Sequence, residues 1–299
     1  MSREPSLESA VHGSDAGSGT GPVGETDAGS RDAATRAAVA APAAAAALEA
    51  RGLTVRVDQA VLLDAVDFTA SAGRVHALIG PNGAGKSTLL GVLAGDRSPS
   101  AGSVRLHGRA LGAWPLRELA RMRAVLTQEH QVTFPFPVRE VVEMGRHPWA
   151  RTPEADADEA EIAVAMAATD VSHLGERTVP SLSGGERARV ALARVVAQRA
   201  PVILLDEPTA ALDLRHQEDV LRLAREHAAA GETVVVVLHD LNLAAAYADD
   251  VTLLSRARVV ATGSPAEVLT AERIEAVYGQ AVDVIPHPRT GAPLVLPIR

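Results

Sequence analysis

The 299-residue sequence has no cysteine, a single lysine, few aromatic side chains and no apolar run long enough to cross a membrane. Each absence removes a class of protein. Without cysteine there is neither a disulfide framework nor a thiolate metal site, which fits a reducing compartment. Aromatics make up 2% of a chain that is 47% hydrophobic, so its apolar mass is aliphatic. Ala, Val and Leu in this proportion suit a parallel sheet covered by helices. The longest apolar stretches, residues 202–205 and 234–238, are strand-sized, whereas a spanning helix needs about 20 apolar residues. Residues 37–48 are apolar but short, weakly hydrophobic and broken by Pro42. The first residues carry Glu4, Glu8 and Asp15 with no basic segment leading into an apolar one, so no secretory signal is expected. The net charge is −8 and no Lys/Arg block forms a nucleic-acid footprint. Of the 29 basic residues only Lys86 is lysine. Codon bias in a GC-rich genome accounts for arginine elsewhere, and a lysine retained against that bias calls for a local reason.

Residues 1–47 are rich in Gly, Ser, Ala and acids. Such a segment buries too little surface to offset the entropy of ordering. It is expected to be a disordered extension, the alternative being a short Ala helix near residues 43–48. No internal repeat is present. From Leu48 the pattern changes: Leu53, Val55 and Val57 alternate, and strands are expected over 61–68 and 74–79. A helix is expected over 87–93, a mainly helical insert over 133–182, and a strong helix over 184–198. Residues 202–205 and 233–238 read as buried strands flanking a helix over 214–229. Strands alternating with helices indicate an α/β fold around a largely parallel sheet, with a smaller helical subdomain.

Gly80-Pro81-Asn82-Gly83-Ala84-Gly85-Lys86-Ser87 fits the phosphate-binding P-loop pattern, after an expected strand and opening an expected helix. Its glycines let backbone N–H groups turn inward around phosphate oxygens, and the helix N-terminus adds partial positive charge. Lys86 is expected on the β- and γ-phosphates, with Ser87 on Mg²⁺ and Thr88 completing the site. A compact ammonium fits inside a ring of backbone donors where a planar guanidinium is too large, which accounts for the sole lysine. A chance match in a glycine-rich turn is the competing reading, and the strand–turn–helix context argues against it. Val202-Ile203-Leu204-Leu205 would deliver Asp206 and Glu207 to the C-terminal end of a buried strand. Asp206 is expected to hold Mg²⁺ and Glu207 to act as general base toward water. Alone, such a run is more often a strand leaving the core; beside a P-loop, the functional reading is favoured.

Leu182-Ser183-Gly184-Gly185-Glu186 resembles the LSGGQ signature of ATP-binding cassette (ABC) proteins, with Glu in the fifth place. Physically it is a second helix N-terminus able to bind an anion, or simply a Ser N-cap; the order of the three motifs favours the former. The resemblance implies the cassette fold: a RecA-like, mostly parallel core, an antiparallel β subdomain and a helical subdomain. It also implies that Ser183, Gly184, Gly185, Glu186 and the D-loop residue Asp213 complete the ATP site of a second copy, in a head-to-tail dimer holding two ATP molecules. By the same resemblance Gln128 is the Q-loop glutamine, contacting Mg²⁺ and the membrane partner, and His239 is the switch histidine at the γ-phosphate. The likeness runs from Leu48 to about Gly279. Three positions depart from the family: Val57 stands where an adenine-stacking aromatic is expected, Glu186 replaces Gln, and Ala210 replaces a small hydroxyl residue.

No membrane segment is fused, so the resemblance implies two separate permease subunits, as in bacterial importers, with this chain peripheral at the cytoplasmic face of the cell membrane. Thr133-Phe134-Pro135-Phe136-Pro137-Val138, then Met144-Gly145-Arg146, is similar to the ATPases of iron-siderophore, heme and cobalamin importers. Phe134 and Phe136 would form a stiff apolar surface for a coupling helix, the alternative being local packing. Leu212-Asp213-Leu214-Arg215-His216-Gln217, His239-Asp240-Leu241-Asn242 and His287-Pro288-Arg289-Thr290-Gly291 favour the heme group, with an extracytoplasmic heme-binding protein as an indirect partner. Ferric siderophore ranks second and cobalamin third. His287 beside proline is expected to be solvated. A soluble, non-transport ABC ATPase remains a further alternative; the segment from Lys86 to Ser183 holds neither a long coiled coil nor zinc-binding cysteines, and one cassette is present where translation factors carry two. A P-loop kinase would lack the signature and Asp213.

Overall fold

The computed structural model describes residues 46–128 and 135–299. In chain order the elements are β1 (Ala46–Val57), β2 (Ala60–Ser71), β3 (Val75–Ile79), α1 (Lys86–Ala94), β4 (Ala101–Leu106), β5 (Arg109–Ala110), α2 (Leu116–Met122) and β6 (Arg123–Leu126). Then come α3 (Val138–Glu143), α4 (Asp158–Ala168), α5 (Gly184–Ala197), β7 (Val202–Asp206), α6 (Leu214–Ala229), β8 (Thr233–Val237) and α7 (Leu241–Tyr247). The chain closes with β9 (Asp250–Ser255), β10 (Arg258–Gly263), α8 (Pro265–Val268), α9 (Ala271–Tyr278), β11 (Val282–Pro286) and β12 (Pro293–Pro297).

The central sheet has the order β10-β9-β3-β8-β7-β6. Strands β9, β3, β8, β7 and β6 run parallel, and β10 closes one edge antiparallel to β9. Every residue of β3, β7 and β8 is buried, as an all-aliphatic strand requires when both sheet faces are covered. Side chains alternate between two cores. Ala77, Ile79, Ile203, Leu205, Val234 and Val236 face the helical side, with α5 and α6. Leu78, Val202, Leu204, Val235 and Val237 face α1 and a second, antiparallel sheet of order β2-β1-β4-β5. This is the α/β cassette architecture expected from the sequence: a parallel core, an antiparallel β layer and a helical subdomain.

Two details differ from the sequence reading. β1 begins at Ala46, and the Ala43–Leu48 helix alternative gives way to a strand where the chain is described. Ala47 is buried, its carbonyl accepting the N–H of His107 at 2.8 Å, so pairing with β2 and β4 outweighs alanine's helix propensity. The 133–182 insert is only partly α-helical. Besides α3 and α4 it runs through short 3-10 turns at Met144–Trp149, Pro153–Ala157, Ser172–Leu174 and Val179–Ser181. Pro148, Pro153 and Pro180 lie within these turns, where a missing N–H and a fixed φ stop regular propagation. The Met144-Gly145-Arg146 stretch is a packing device. A Cβ on Gly145 would lie 2.2 Å from the Arg194 carbonyl oxygen. The buried Arg146 donates to Asp158 Oδ1 at 2.7 Å, to the Ala197 carbonyl at 2.9 Å and to that of Glu154 at 3.2 Å, seating the insert on α5.

Candidate nucleotide site

Four functional segments leave the C-terminal ends of four neighbouring parallel strands, the edge at which open α/β sheets bind ligands. β3 runs into residues 80–85, β6 into Gln128, β7 into Asp206 and Glu207, and β8 into His239. The register sets Leu126 beside Leu205 and Asp206 beside Val237, so the side chains that follow emerge close together. Residues 82–88 line a cleft of about 550 Å³ with Leu62, Gln128, Glu207 and His239.

The loop is held open by backbone that only glycine adopts without strain. Gly80 has φ +146° and Gly85 φ +104°. A Cβ on Gly85 would come within 2.7 Å of the Leu62 carbonyl oxygen and 2.9 Å of Leu63 Cδ2. Lys86 is buried and donates from Nζ to the carbonyls of Gly80 at 2.8 Å and Pro81 at 3.1 Å. An ammonium has three N–H donors, which leaves one for a ligand. Burial holds the Lys86 pKa below its ordinary value, with Glu207 and Asp206 acting in the opposite direction. Helix α1 starts after Gly85 with neither a side-chain cap nor an acid in its first turn, so its leading N–H groups keep capacity for an anion.

Asp206 is buried, and desolvation raises its pKa above the usual aspartate value, while a hydrogen bond from Ser87 opposes that. Ser87 Oγ donates to Asp206 Oδ1 at 3.1 Å. A hydroxyl and an under-compensated carboxylate are hard oxygen donors of the kind Mg²⁺ takes from a protein when substrate phosphates supply others. Among the described residues no group of three or more His, Cys, Asp or Glu side chains converges as a cage. Glu207 has φ +51°, strained for a non-glycine residue. Gln128 Nε2 donates to Glu207 Oε2 at 3.0 Å, and His239 Nε2 lies 2.6 Å from Oε1. The pair holds both oxygens of a carboxylate at the cleft wall, an arrangement that can orient a water and accept its proton.

Ser183, Gly184, Gly185, Glu186 and Asp213 lie outside this cleft. They form a second constellation. Ser183 caps α5: its backbone N–H donates to Glu186 Oε2 at 2.7 Å and its Oγ accepts from the Glu186 N–H at 3.3 Å. This capping box holds the Glu186 pKa below the usual glutamate value. Gly185 lies against the D-loop, its Cβ position 3.4 Å from the Ala211 carbonyl oxygen. Asp213 caps α6. Ser183, Gly184, Asp213 and Leu214 are exposed, Leu214 by 74%.

Val57 is exposed and does not line the cleft; Leu62, which the sequence did not single out, is the apolar residue that does. Only the tertiary packing of β2 against the loop, with the Leu62 carbonyl beside Gly85, places it there. Residues Thr133 and Phe134 lie outside the described residues, and Phe136 is partly exposed. His287 is half-buried, and its Nδ1 accepts from the N–H groups of Arg289 and Thr290 at 3.3 Å each, so it caps a turn.

The strand-end cleft with its loop lysine, followed by a capped signature helix facing away from it, defines a P-loop ATPase of the ATP-binding cassette class. Residues 63–210 match the profile of the ABC transporter family. Among curated relatives, the Hemin import ATP-binding protein HmuV of Streptomyces coelicolor is 60% identical over 250 residues, spanning 84% of this chain and 89% of the relative. That of Nocardia farcinica is 59% identical over 257 residues, with 84% and 89% covered. The chain belongs to the ABC transporter family as an ATP-binding subunit. Among solved structures, a metal-chelate type ABC transporter in an inward-facing conformation matches with TM-score 0.72 and 27% identity, over 85% of this chain and 98% of that one.

Proposed function

We propose that this chain hydrolyses MgATP in a sandwich of two copies and thereby powers import of heme through a separate membrane permease. The observation that carries the cargo is the 60% identity to a hemin import ATP-binding protein across 84% of the chain. The chemistry rests on Glu207, clamped between Gln128 and His239.

In this reading residues 80–88 bind the triphosphate: backbone N–H groups take the oxygens, and the free donor of Lys86 reaches the β- and γ-phosphates. Ser87, Asp206 and Gln128 would hold Mg²⁺, which when bound neutralises charge on the phosphate oxygens. Glu207 accepts the proton of the attacking water, and His239 fixes the Glu207 carboxylate and contacts the γ-phosphate. In the second copy, Ser183 to Glu186 and Asp213 close over the same nucleotide. The Ser183 hydroxyl accepts from Glu186 in its cap and keeps its own proton to donate. The exposed Leu214 beside Asp213 is then covered by the partner copy. Leu62 supports the base side of the nucleotide by apolar contact in place of an aromatic stack. The likeness to importer ATP-binding subunits supports a subunit docked on two permease chains at the cytoplasmic face, served indirectly by an extracytoplasmic heme-binding protein; among the described residues no helix is long and apolar enough to cross a membrane.

A ferric-chelate cargo is the second reading, favoured by the likeness to the metal-chelate type transporter. Growth of a strain lacking this chain, with hemin or a ferric siderophore as sole iron source, separates the two. Loss on hemin alone, restored by the intact gene but not by Glu207→Gln, is the expected result. Loss on siderophore alone moves the cargo to the second reading and leaves the ATPase assignment standing.

A further inference from the structure

A chain of side chains outside the nucleotide cleft joins the D-loop to the signature helix. Asp213 Oδ1 accepts the His216 backbone N–H at 3.0 Å and lies 2.7 Å from His216 Nδ1. On the other edge of the ring, Nε2 meets the guanidinium of Arg189 on α5. The same guanidinium nitrogen reaches Asp170 Oδ2, just beyond α4, at 3.2 Å. The Arg189 side chain is only 11% exposed, so this is a seated contact rather than a surface encounter.

Guanidinium can only donate, so Nε2 is the acceptor and the ring proton sits on Nδ1, given to Asp213. The ring is thus held in one tautomer. Bonds from His216 hold the Asp213 pKa below the usual aspartate value. Beside the chain, Gly185 packs on the D-loop backbone. The signature and the D-loop therefore share one face with a side-chain brace behind it.

We infer that His216 is a positioning residue that locks Asp213 to the signature helix, so that both elements meet the second copy's nucleotide as one unit. The inference rests on the two-copy reading of the ATP site. The charged groups lining the cavity beside the ring are Asp170 beyond α4, Arg189 on α5, and Arg215, Asp219, Arg222 and Glu226 on α6, with Asp213 bonded to Nδ1.

The test uses the full chain carrying Glu207→Gln, with ATP-dependent dimerisation followed by sedimentation and monomer nucleotide binding followed with a fluorescent ATP analogue. His216→Ala should weaken dimerisation about tenfold near pH 8, the effect of one lost charge-assisted hydrogen bond, while analogue affinity is unchanged. Adding Arg189→Ala should cost little more, because both substitutions cut the same chain. His216→Asn keeps an amide donor for Asp213 without a titratable ring. It should restore most of the affinity, which a merely structural loss at this position would not allow. A parent dimer that His216→Ala leaves intact, additive losses with Arg189→Ala, or no rescue by His216→Asn would each overturn the brace alone. Failure of the parent to dimerise with ATP overturns the two-copy reading and the inference with it.

Discussion

The Nε2 atom of His239 lies 2.6 Å from Oε1 of Glu207. With Gln128 donating to the other oxygen at 3.0 Å, the carboxylate is held at both ends by residues arriving from β6 and β8. The general-base role proposed for Glu207 needs a lone pair aimed before substrate arrives, and this clamp, with the strained φ of Glu207, is the geometry such a role calls for.

Glu207→Gln should lower phosphate release roughly 10²- to 10⁴-fold, the usual worth of a positioned general base. ATP binding should persist, because residues 80–88 and Asp206 are untouched. Phosphate-release kinetics alongside equilibrium nucleotide binding decide it, and a variant that turns over at the parental rate removes Glu207 from the mechanism.

Lys86 is the only lysine of the chain, and burial holds its pKa below the ordinary lysine value. Near neutral pH it therefore carries more free amine than an exposed lysine. An amine-reactive reagent should inactivate the protein as Lys86 is labelled, and ATP should prevent both. Labelling of Lys86 that ATP does not slow, read by peptide mass spectrometry, speaks against the phosphate assignment.

Gly85→Ala and Gly83→Ala separate steric from conformational cost. Both positions have positive φ, but a Cβ at Gly83 meets nothing within 4 Å, whereas at Gly85 it would sit 2.7 Å from the Leu62 carbonyl oxygen. Gly83→Ala should cost about 1 kcal/mol of stability. Gly85→Ala should cost more, about 2–3 kcal/mol, and impair ATP binding further. Equal losses in denaturant titrations would contradict this geometry.

His76 is buried in β3, and desolvation lowers its pKa from 6.5 to about 4. The unfolded chain takes up this proton as pH falls through 6.5, while the folded chain stays neutral there until about 4. Stability should therefore fall between those values as the solution is acidified, by on the order of 3 kcal/mol from this residue. His76→Leu should flatten that part of the stability–pH curve; Thr252, its hydrogen-bond partner, still has Thr262 at 3.0 Å. An unchanged slope would assign the acid sensitivity elsewhere.

Arg146→Met should destabilise the fold by about 3 kcal/mol, because it leaves a half-buried Asp158 carboxylate and two carbonyls without their donor. Thermal unfolding measures it, and a shift within error would mean that water replaces the guanidinium.

Strands β3, β7 and β8 were legible because a strand covered on both faces must be aliphatic throughout. Helix α6 was equally plain; that Asp213 caps it came from the structure. The insert between β6 and α5 was less so. Its composition favours helix, but it is broken into turns by prolines, which are visible locally, and by the demand to seat Arg146 on the Ala197 carbonyl, which no local window shows. Leu62 escaped notice because nothing in β2 announces which residue passes beside the P-loop.

Sequence alone determined the chemistry available: one lysine in a glycine loop, two acids ending an apolar strand, and a serine–glutamate box opening a helix. These are local patterns, in which neighbours along the chain suffice. Tertiary structure decided which of them meet. The parallel register brings Gln128, Glu207 and His239 into contact from three separate strands and turns the signature away from its own cleft, toward Asp213. Contacts between distant segments depend on sheet order and on packing over the whole core, and no stretch of sequence encodes those by itself.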